Sequence, residues 1–252
     1  MNGNLQMGIF YALVAGALWG IGPLLLKRGM TLSNVSTATL IEQYVSVITL
    51  AIMAAFQEEL RMDISPKAFW AFAVAGMVGA GFGKIFYYKG IDRVGASKST
   101  SVKNSSPILS VLLAALLLGE ELTIPVALGS LLIVAGILVL TRVEVKMEER
   151  PSRFRYFFYP FMAALCFGIN PVFKKMGVDT SGLPTLGALI TQSTALGVML
   201  TAGRFLKIKP KWERIPTKSL LLFSLAGVTE AVGSLLTFFA LVYAPAVLVT
   251  PI

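Results

Sequence analysis

Histidine is absent from the 252 residues, and cysteine occurs once, at Cys166. The first absence removes the commonest general base and the commonest metal ligand. The second excludes an intrachain disulfide and any cysteine-based zinc site. Charge is scarce too: Asp, Glu, Lys and Arg make up 14% of the chain, against about 25% in an average soluble domain. With no acidic cluster to replace the missing ligands, neither a metal nor a cofactor is expected. The remainder is mostly apolar, 56% of residues with a mean hydropathy of +0.76, which reads as a membrane protein. The net charge of +9 does not gather on one solvated face, so nucleic acid is not an expected partner.

Apolar runs of about 20 residues, the length that crosses roughly 30 Å of hydrocarbon, recur along the whole chain. They predict helices at about 8 to 27, 35 to 56, 67 to 88, 97 to 118, 123 to 141, 155 to 175, 184 to 204 and 218 to 241, an all-α polytopic fold. The N-terminal Met-Asn-Gly-Asn-Leu-Gln carries no Lys or Arg, so the first run is expected to remain as a helix and not to act as a cleaved signal. The charged stretch from 142 to 155 divides the chain near residue 150.

Laying the second part over the first reveals an internal repeat. Gly20, Ile21 and Pro23 meet Gly168, Ile169 and Pro171 at an offset of 148, and Gln43 meets Gln192 at 149. Phe72, Ala75, Gly76 and Ala80 meet Phe223, Ala226, Gly227 and Ala231 at 151. The repeat boundary falls at 146/147, giving 1–146 and 147–252. Five helices per copy is odd, so the copies cross in opposite senses, the inverted-repeat plan of many secondary transporters. The second copy stops after its third helix, and roughly forty further residues would complete it.

Pro107-Ile-Leu-Ser-Val-Leu-Leu-Ala-Ala-Leu-Leu-Leu-Gly-Glu-Glu-Leu-Thr, followed by the Gly-rich helix from Gly129 to Gly136, and Trp19-Gly20 with Pro23 in the first helix, resemble the EamA domain of the drug/metabolite transporter superfamily. The resemblance implies two inverted five-helix repeats that move small metabolites without ATP, with both termini in the cytoplasm of a plasma membrane. The charge count points the other way. Loops after odd-numbered helices hold fifteen Lys and Arg, whereas the even-numbered ones hold four, Arg61, Lys67, Lys174 and Lys175, which places the N-terminus outside.

Ionisable residues inside predicted spans are the candidate site, because each costs about 2.5 to 3.5 kcal/mol at a helix centre on insertion scales. Glu42 and Glu230 are candidates for proton coupling, since a buried carboxylate can load and release a proton. Lys84 and Lys103 are candidates for a substrate's negative group, with Tyr88 beside them. Asn104, Gln43, Gln192 and Asn170 are candidate neutral hydrogen-bond partners. Thr39, Glu42, Ser46 and Thr49 form one polar stripe at helical spacing, and Glu230, Ser234 and Thr237 another. Pro107 should break its helix beside Lys103, and Pro23, Pro107 and Pro171 are candidate hinges.

Plainer readings stand beside these. Lys84 also fits as a structural bridge to Glu42 or Glu230, and Lys98 as an interfacial anchor that extends its stem toward water. Glu120 and Glu121 fit helix capping, and Lys27 and Lys175 fit interface anchors. Gly83-Lys84 is followed by Ile85 and lacks nucleotide-loop spacing. Ala12, Gly16 and Gly20, like Gly79 and Gly83, fit small-residue helix packing. The expected function is secondary transport of an amino acid or small organic anion, with lipid around it. A second copy of the chain is the one protein partner considered. The alternative is a membrane-embedded lipid-handling enzyme or flippase.

Overall fold

The computed structural model describes residues 3–30, 35–57, 59–145, 154–205 and 215–251. The repeat boundary at 146/147, the charged stretch around it and the basic residues between 206 and 214 lie outside the described residues, as do the side chains of Arg61, Ser97, Arg142 and Arg204. Among the described residues every regular element is helical. They are α1 (Gly3–Gly29), α2 (Val35–Phe56), α3 (Pro66–Ala75), a π-helical stretch (Gly76–Gly83), α4 (Lys84–Val94), α5 (Ala96–Lys103), α6 (Ser106–Leu118), α7 (Ile124–Val145), α8 (Phe158–Ser181), α9 (Pro184–Phe205), α10 (Thr217–Tyr243) and α11 (Ala246–Val249). Among the described residues seven helical stretches are long and apolar enough to cross a membrane, so the chain is an integral, multi-pass membrane protein. The segment expected at 123 to 141 is α7, much of whose side-chain surface lies outside the described residues.

Two expected helices differ in detail. The run expected at 67 to 88 extends from Pro66 to Val94, with the π-helical stretch in its middle. Four of that stretch's eight residues are glycine, and the backbone there lies so close to its neighbours that side chains would collide. A Cβ on Gly76 would come within 2.1 Å of the Thr191 carbonyl oxygen, and one on Gly79 within 2.2 Å of Asn170. Carbonyls at the α-to-π junction take side-chain donors from neighbouring helices. Asn170 Nδ2 donates to Ala75 O at 2.7 Å, and Thr191 Oγ1 to Phe72 O at 3.2 Å. Backbone groups in an apolar medium must be satisfied in this way when regular α-helical bonding lapses. The run expected at 97 to 118 is in turn split at Asn104 and Ser105, with Pro107 in the first turn of α6. Pro23 and Pro171 sit inside unbroken α1 and α8.

Helix ends follow their local chemistry. Ser65 Oγ accepts from Ala68 N ahead of Pro66, an N-cap with proline in the first turn. Gly119 and Gly182 close α6 and α8 at φ +67° and +66°, the left-handed conformation that glycine tolerates best. Glu120 accepts from the amides of Ala246 and Val247, capping the start of α11, and Glu59 accepts from Leu186 N at the start of α9.

In the interior, α1 and α2 pack on α10, α8 packs on α3 and the π-helical stretch, and α9 crosses both α2 and that stretch. Large aromatics fill gaps left by glycines. Phe72 is wholly buried against Gly177 and Gly187 and meets Phe238 edge-on at 5.6 Å, while Phe223, also wholly buried, lies against Gly29. Gly76 lies under Thr191 and Thr194, and Gly227 under Glu42 and Val45. Gly83 packs on Cys166 and Phe167, whereas Gly20, expected to pack, has nothing within 4 Å of an added Cβ because it faces outward from α1.

Gly177→Ala and Gly29→Ala should each cost about 1–3 kcal/mol, the usual penalty for overpacking. An added Cβ would sit 2.2 Å from Phe72 in the first and 2.5 Å from Phe223 in the second. Gly197→Ala, with open space around it, should instead be neutral or gain up to about 1 kcal/mol of helix propensity. Thermal unfolding of the detergent-purified variants checks this, and equal Tm values for all three would remove the packing argument.

Candidate functional site

The π-helical stretch ends at Gly83, and Lys84 opens α4 at the place where α2, α9 and α10 converge. Its Nζ donates to Gln43 Oε1 at 3.2 Å and to Glu230 Oε1 at 3.4 Å, with Glu42 Oε1 at 3.9 Å. Gln43 Nε2 donates to Gln192 Oε1 at 2.7 Å and to the Gln192 backbone oxygen at 2.9 Å, and Gln192 Nε2 donates to Glu230 Oε1 at 3.2 Å. Lys84, Gln43, Gln192 and Glu230 therefore close a ring. Each amide both accepts and donates, so their dipoles run in one sense from ammonium to carboxylate. In low dielectric such a chain polarises its own members.

Glu42 stands at the edge of this ring. It is 6% exposed, and its Oε2 has no hydrogen-bond partner, nor has Ser46 Oγ one turn further along α2. With both carboxylates ionised, one ammonium faces two negative charges, and the cluster carries a net single negative charge. Such a cluster can accept one further positive charge, a proton or a small cation. Tyr88 reaches Thr39 and lies in the electrostatic field of Glu42 and Glu230. Ser234 and Thr237 continue the polar stripe along α10, buried, with Ser234 Oγ unpartnered.

The structure thus brings together Lys84, Glu42, Glu230, Gln43, Gln192 and Tyr88. Lys84 has the geometry of the bridge reading, with its ammonium already held by carboxylates. Lys103 is elsewhere, over the rings of Tyr87 at 5.7 Å and Phe167 at 5.3 Å, and the Tyr87 hydroxyl meets Thr100 Oγ1 at 2.8 Å. Asn104 lies in the joint between α5 and α6, its backbone N–H on Thr100 O. Asn170 holds α8 to the π-helical junction through Ala75 O.

One interior cation was placed wrongly from sequence. Lys174 was counted with Lys175 in a loop after a helix ending at 175, but α8 continues to Ser181. Lys174 is buried at 6% exposure, with Nζ over the rings of Trp19 at 5.9 Å and Phe238 at 5.2 Å. Gly182 and Pro184 were the stop signals that would have placed it inside. Lys175 does sit near the helix end, bonded to Leu241 O and paired with Asp179 at 2.8 Å.

Comparison with known proteins agrees with this architecture. The uncharacterized protein PA1977 of Pseudomonas aeruginosa is 29% identical over 133 residues, 53% of this chain and 45% of that protein, so the match spans less than half of the relative's length. A protein of known crystal structure superposes with a TM-score of 0.78 over 97% of this chain and 83% of its own, at 14% identity, and shares the fold. The EamA-like transporter family matches residues 6–142, more than half of the sequence. The chain belongs to the EamA-like transporter family.

Proposed function

We propose that the protein is a secondary active transporter of small metabolites in the plasma membrane, with amino acids and small organic anions as its preferred solutes. The observation that carries this reading is the closed ring of Lys84, Gln43, Gln192 and Glu230, with Glu42 beside it, at the crossing of four membrane-spanning helices. A static bundle has no need of charges there, since each is expensive in an apolar interior and such residues mark ion and substrate pathways. Glu42 is the proton-coupling residue of this reading, since it is buried, only loosely paired, and has an oxygen without a partner. Glu230, fastened by Lys84 and Gln192, is the second.

Alternating access by two inverted repeats, 1–146 and 147–252, completes the proposal. The paired packing supports it: Gly29 lies on Phe223 as Gly177 lies on Phe72, and Gly76 lies on α9 as Gly227 lies on α2. Gln43 meets Gln192, its counterpart at an offset of 149. The break at Asn104 and Ser105 ahead of Pro107 supports a hinge in the first repeat. Pro23 and Pro171 take matching hinge positions in α1 and α8.

Proteoliposomes holding the purified chain should accumulate at least one labelled solute from a panel of amino acids, carboxylates and sugars, unaltered, when a pH gradient is imposed. Glu42→Gln should cut gradient-driven accumulation at least tenfold while sparing solute counterflow. Accumulation indifferent to the gradient would sink the proton coupling, and no flux of any panel member would sink transport of those solutes.

Removing the cation alone should be costly, because Lys84→Ala leaves two carboxylates uncompensated. Breaking a buried pair in this way typically destabilises by about 3–5 kcal/mol. The double variant Lys84→Met, Glu230→Gln should recover most of that stability yet remain unable to accumulate solute. Unfolding and flux measured on the same preparations check both halves. A double variant as unstable as Lys84→Ala would mean that Glu42 alone sets the cost.

A further inference from the structure

Next to the ring, along the face of α10 that also carries Glu230, a cavity of about 70 Å³ lies between α1, α8 and the end of the described chain. That is several times the ~10–15 Å³ that one water requires. Gly16, Trp19, Asn170, Lys174, Thr237 and Thr250 are among the residues around it. Two of its polar groups are donors with no bonded acceptor among the described residues, Lys174 Nζ and Thr250 Oγ1. Lys174 Nζ has three N–H groups and, among the described residues, its contacts are the two ring faces of Trp19 and Phe238. Among the described residues Thr250 Oγ1 is buried with no hydrogen-bond partner. Thr237 Oγ1 already donates to Gly233 O, which leaves it only lone pairs, and Asn170 Nδ2 gives one of its two hydrogens to Ala75 O.

Aromatic faces favour a cation but accept no hydrogen bond of ordinary strength, so among the described residues the ammonium makes no hydrogen bond. The charge balance of the interior agrees. Lys84, Lys103 and Lys174 are three cations within the bundle, and Glu42 and Glu230 are two carboxylates. Lys84 uses both carboxylates at 3.4 Å and 3.9 Å. These five groups together carry one net positive charge when all are ionised, and a monoanion would balance it.

We propose that the cavity at Lys174, Thr250 and Trp19 is the carboxylate subsite of the transported solute, with Lys174 in place of Lys84 or Lys103 as the residue that meets the negative group. The proposal rests on the transport reading above and specifies the class of solute, a small monocarboxylate. Lys174 and Thr250 donate to the two carboxylate oxygens, and the Trp19 ring, 41% exposed, lies beside the solute's body. The ring around Lys84 is then left for the proton, so anion and proton occupy neighbouring places along one face of α10.

Binding is measurable without transport, because Trp19 reports on its own site. Intrinsic fluorescence of the detergent-purified full chain should change saturably on titration with at least one of acetate, lactate, pyruvate and alanine. The neutral amide of the same acid, and glycerol phosphate as a dianion, should bind at least tenfold more weakly. Lys174→Gln should abolish the change, Lys174→Arg should keep part of it, and Trp19→Phe should lose the signal while retaining binding of the labelled acid. The amide comparison needs no variant and stands even if Lys174→Gln does not fold.

An amide that binds as well as its acid, saturation by chloride or glycerol phosphate alone, or no saturation by any of the four acids would overturn the subsite. So would wild-type affinity in a folded Lys174→Gln. Failure here is separable from failure of the transport reading. A Lys174→Gln protein that still carries a carboxylate in proteoliposomes sinks the subsite and leaves transport standing. A wild type that binds the acid but moves no solute does the reverse.

Discussion

An ammonium group in an apolar bundle needs both an anion and hydrogen-bond acceptors within reach, and Lys84 finds them on two other helices. Glu230 of α10 lies at 3.4 Å, Glu42 of α2 at 3.9 Å, and the Gln43 carbonyl at 3.2 Å. Gln192 of α9 ties the far side of the ring together. Four helices are therefore held at one point by polar contacts in a medium where the same groups, unpaired, would be costly. Close approach is what makes the ring small enough to close. Gly76 under α9 and Gly227 under α2 let backbones come within side-chain reach of one another. The π-helical stretch delivers Lys84 to the crossing at its last turn, and Asn170 and Thr191 bond the carbonyls at its start.

Packing and charge follow different rules in this bundle. Phe72 and Phe223, Gly177 and Gly29, Gly227 and Gly76, and Gln192 and Gln43 occupy matching places under the offsets found in the sequence. The interior charged residues have no such partners. Under the same offsets Glu42 corresponds to Thr191, Lys84 to Leu235, Glu230 to Gly79 and Lys174 to Leu26. A matched scaffold can rock about its centre with similar contacts on either side, whereas an unmatched set of charges gives the two sides different chemistry. The glutamine pair, where the two halves touch through like residues, is the one place where the site and the pairing coincide.

Apolar length made most of the helices legible, and α2 falls at the expected 35 to 56 because no glycine or proline interrupts it. Polar periodicity also made Glu42, Ser46 and Ser234 legible as buried, with Glu230 half-buried on the second stripe. The π-helical stretch was not legible, because its glycines read equally well as small-residue packing, which they also perform. Lys174 was missed for a different reason: two adjacent lysines look like a helix end, whereas the stop is set further on by Gly182 in its left-handed conformation. Lys103 was legible as an interior cation, but its aromatic partners come from α4 and α8. No local pattern announces a contact between residues 103 and 167.

Three interior lysines meet three kinds of surroundings, and the contrast orders their roles. Lys84 is bound by carboxylates and amides, Lys103 by two rings beside the break between α5 and α6, and Lys174 by two rings with a cavity in front of it. A cation already paired with two anions gains little from a third, since desolvating a new ligand would have to be offset against attraction the carboxylates already provide. A cation faced only by aromatic rings retains nearly all its hydrogen-bonding capacity, and an incoming anion would meet no like charge among the groups in contact with it. By that argument anion recognition belongs to the lysines held by rings. Of the two, Lys174 is the one with space in front of it, whereas Lys84 serves chiefly to hold four helices and two acids together.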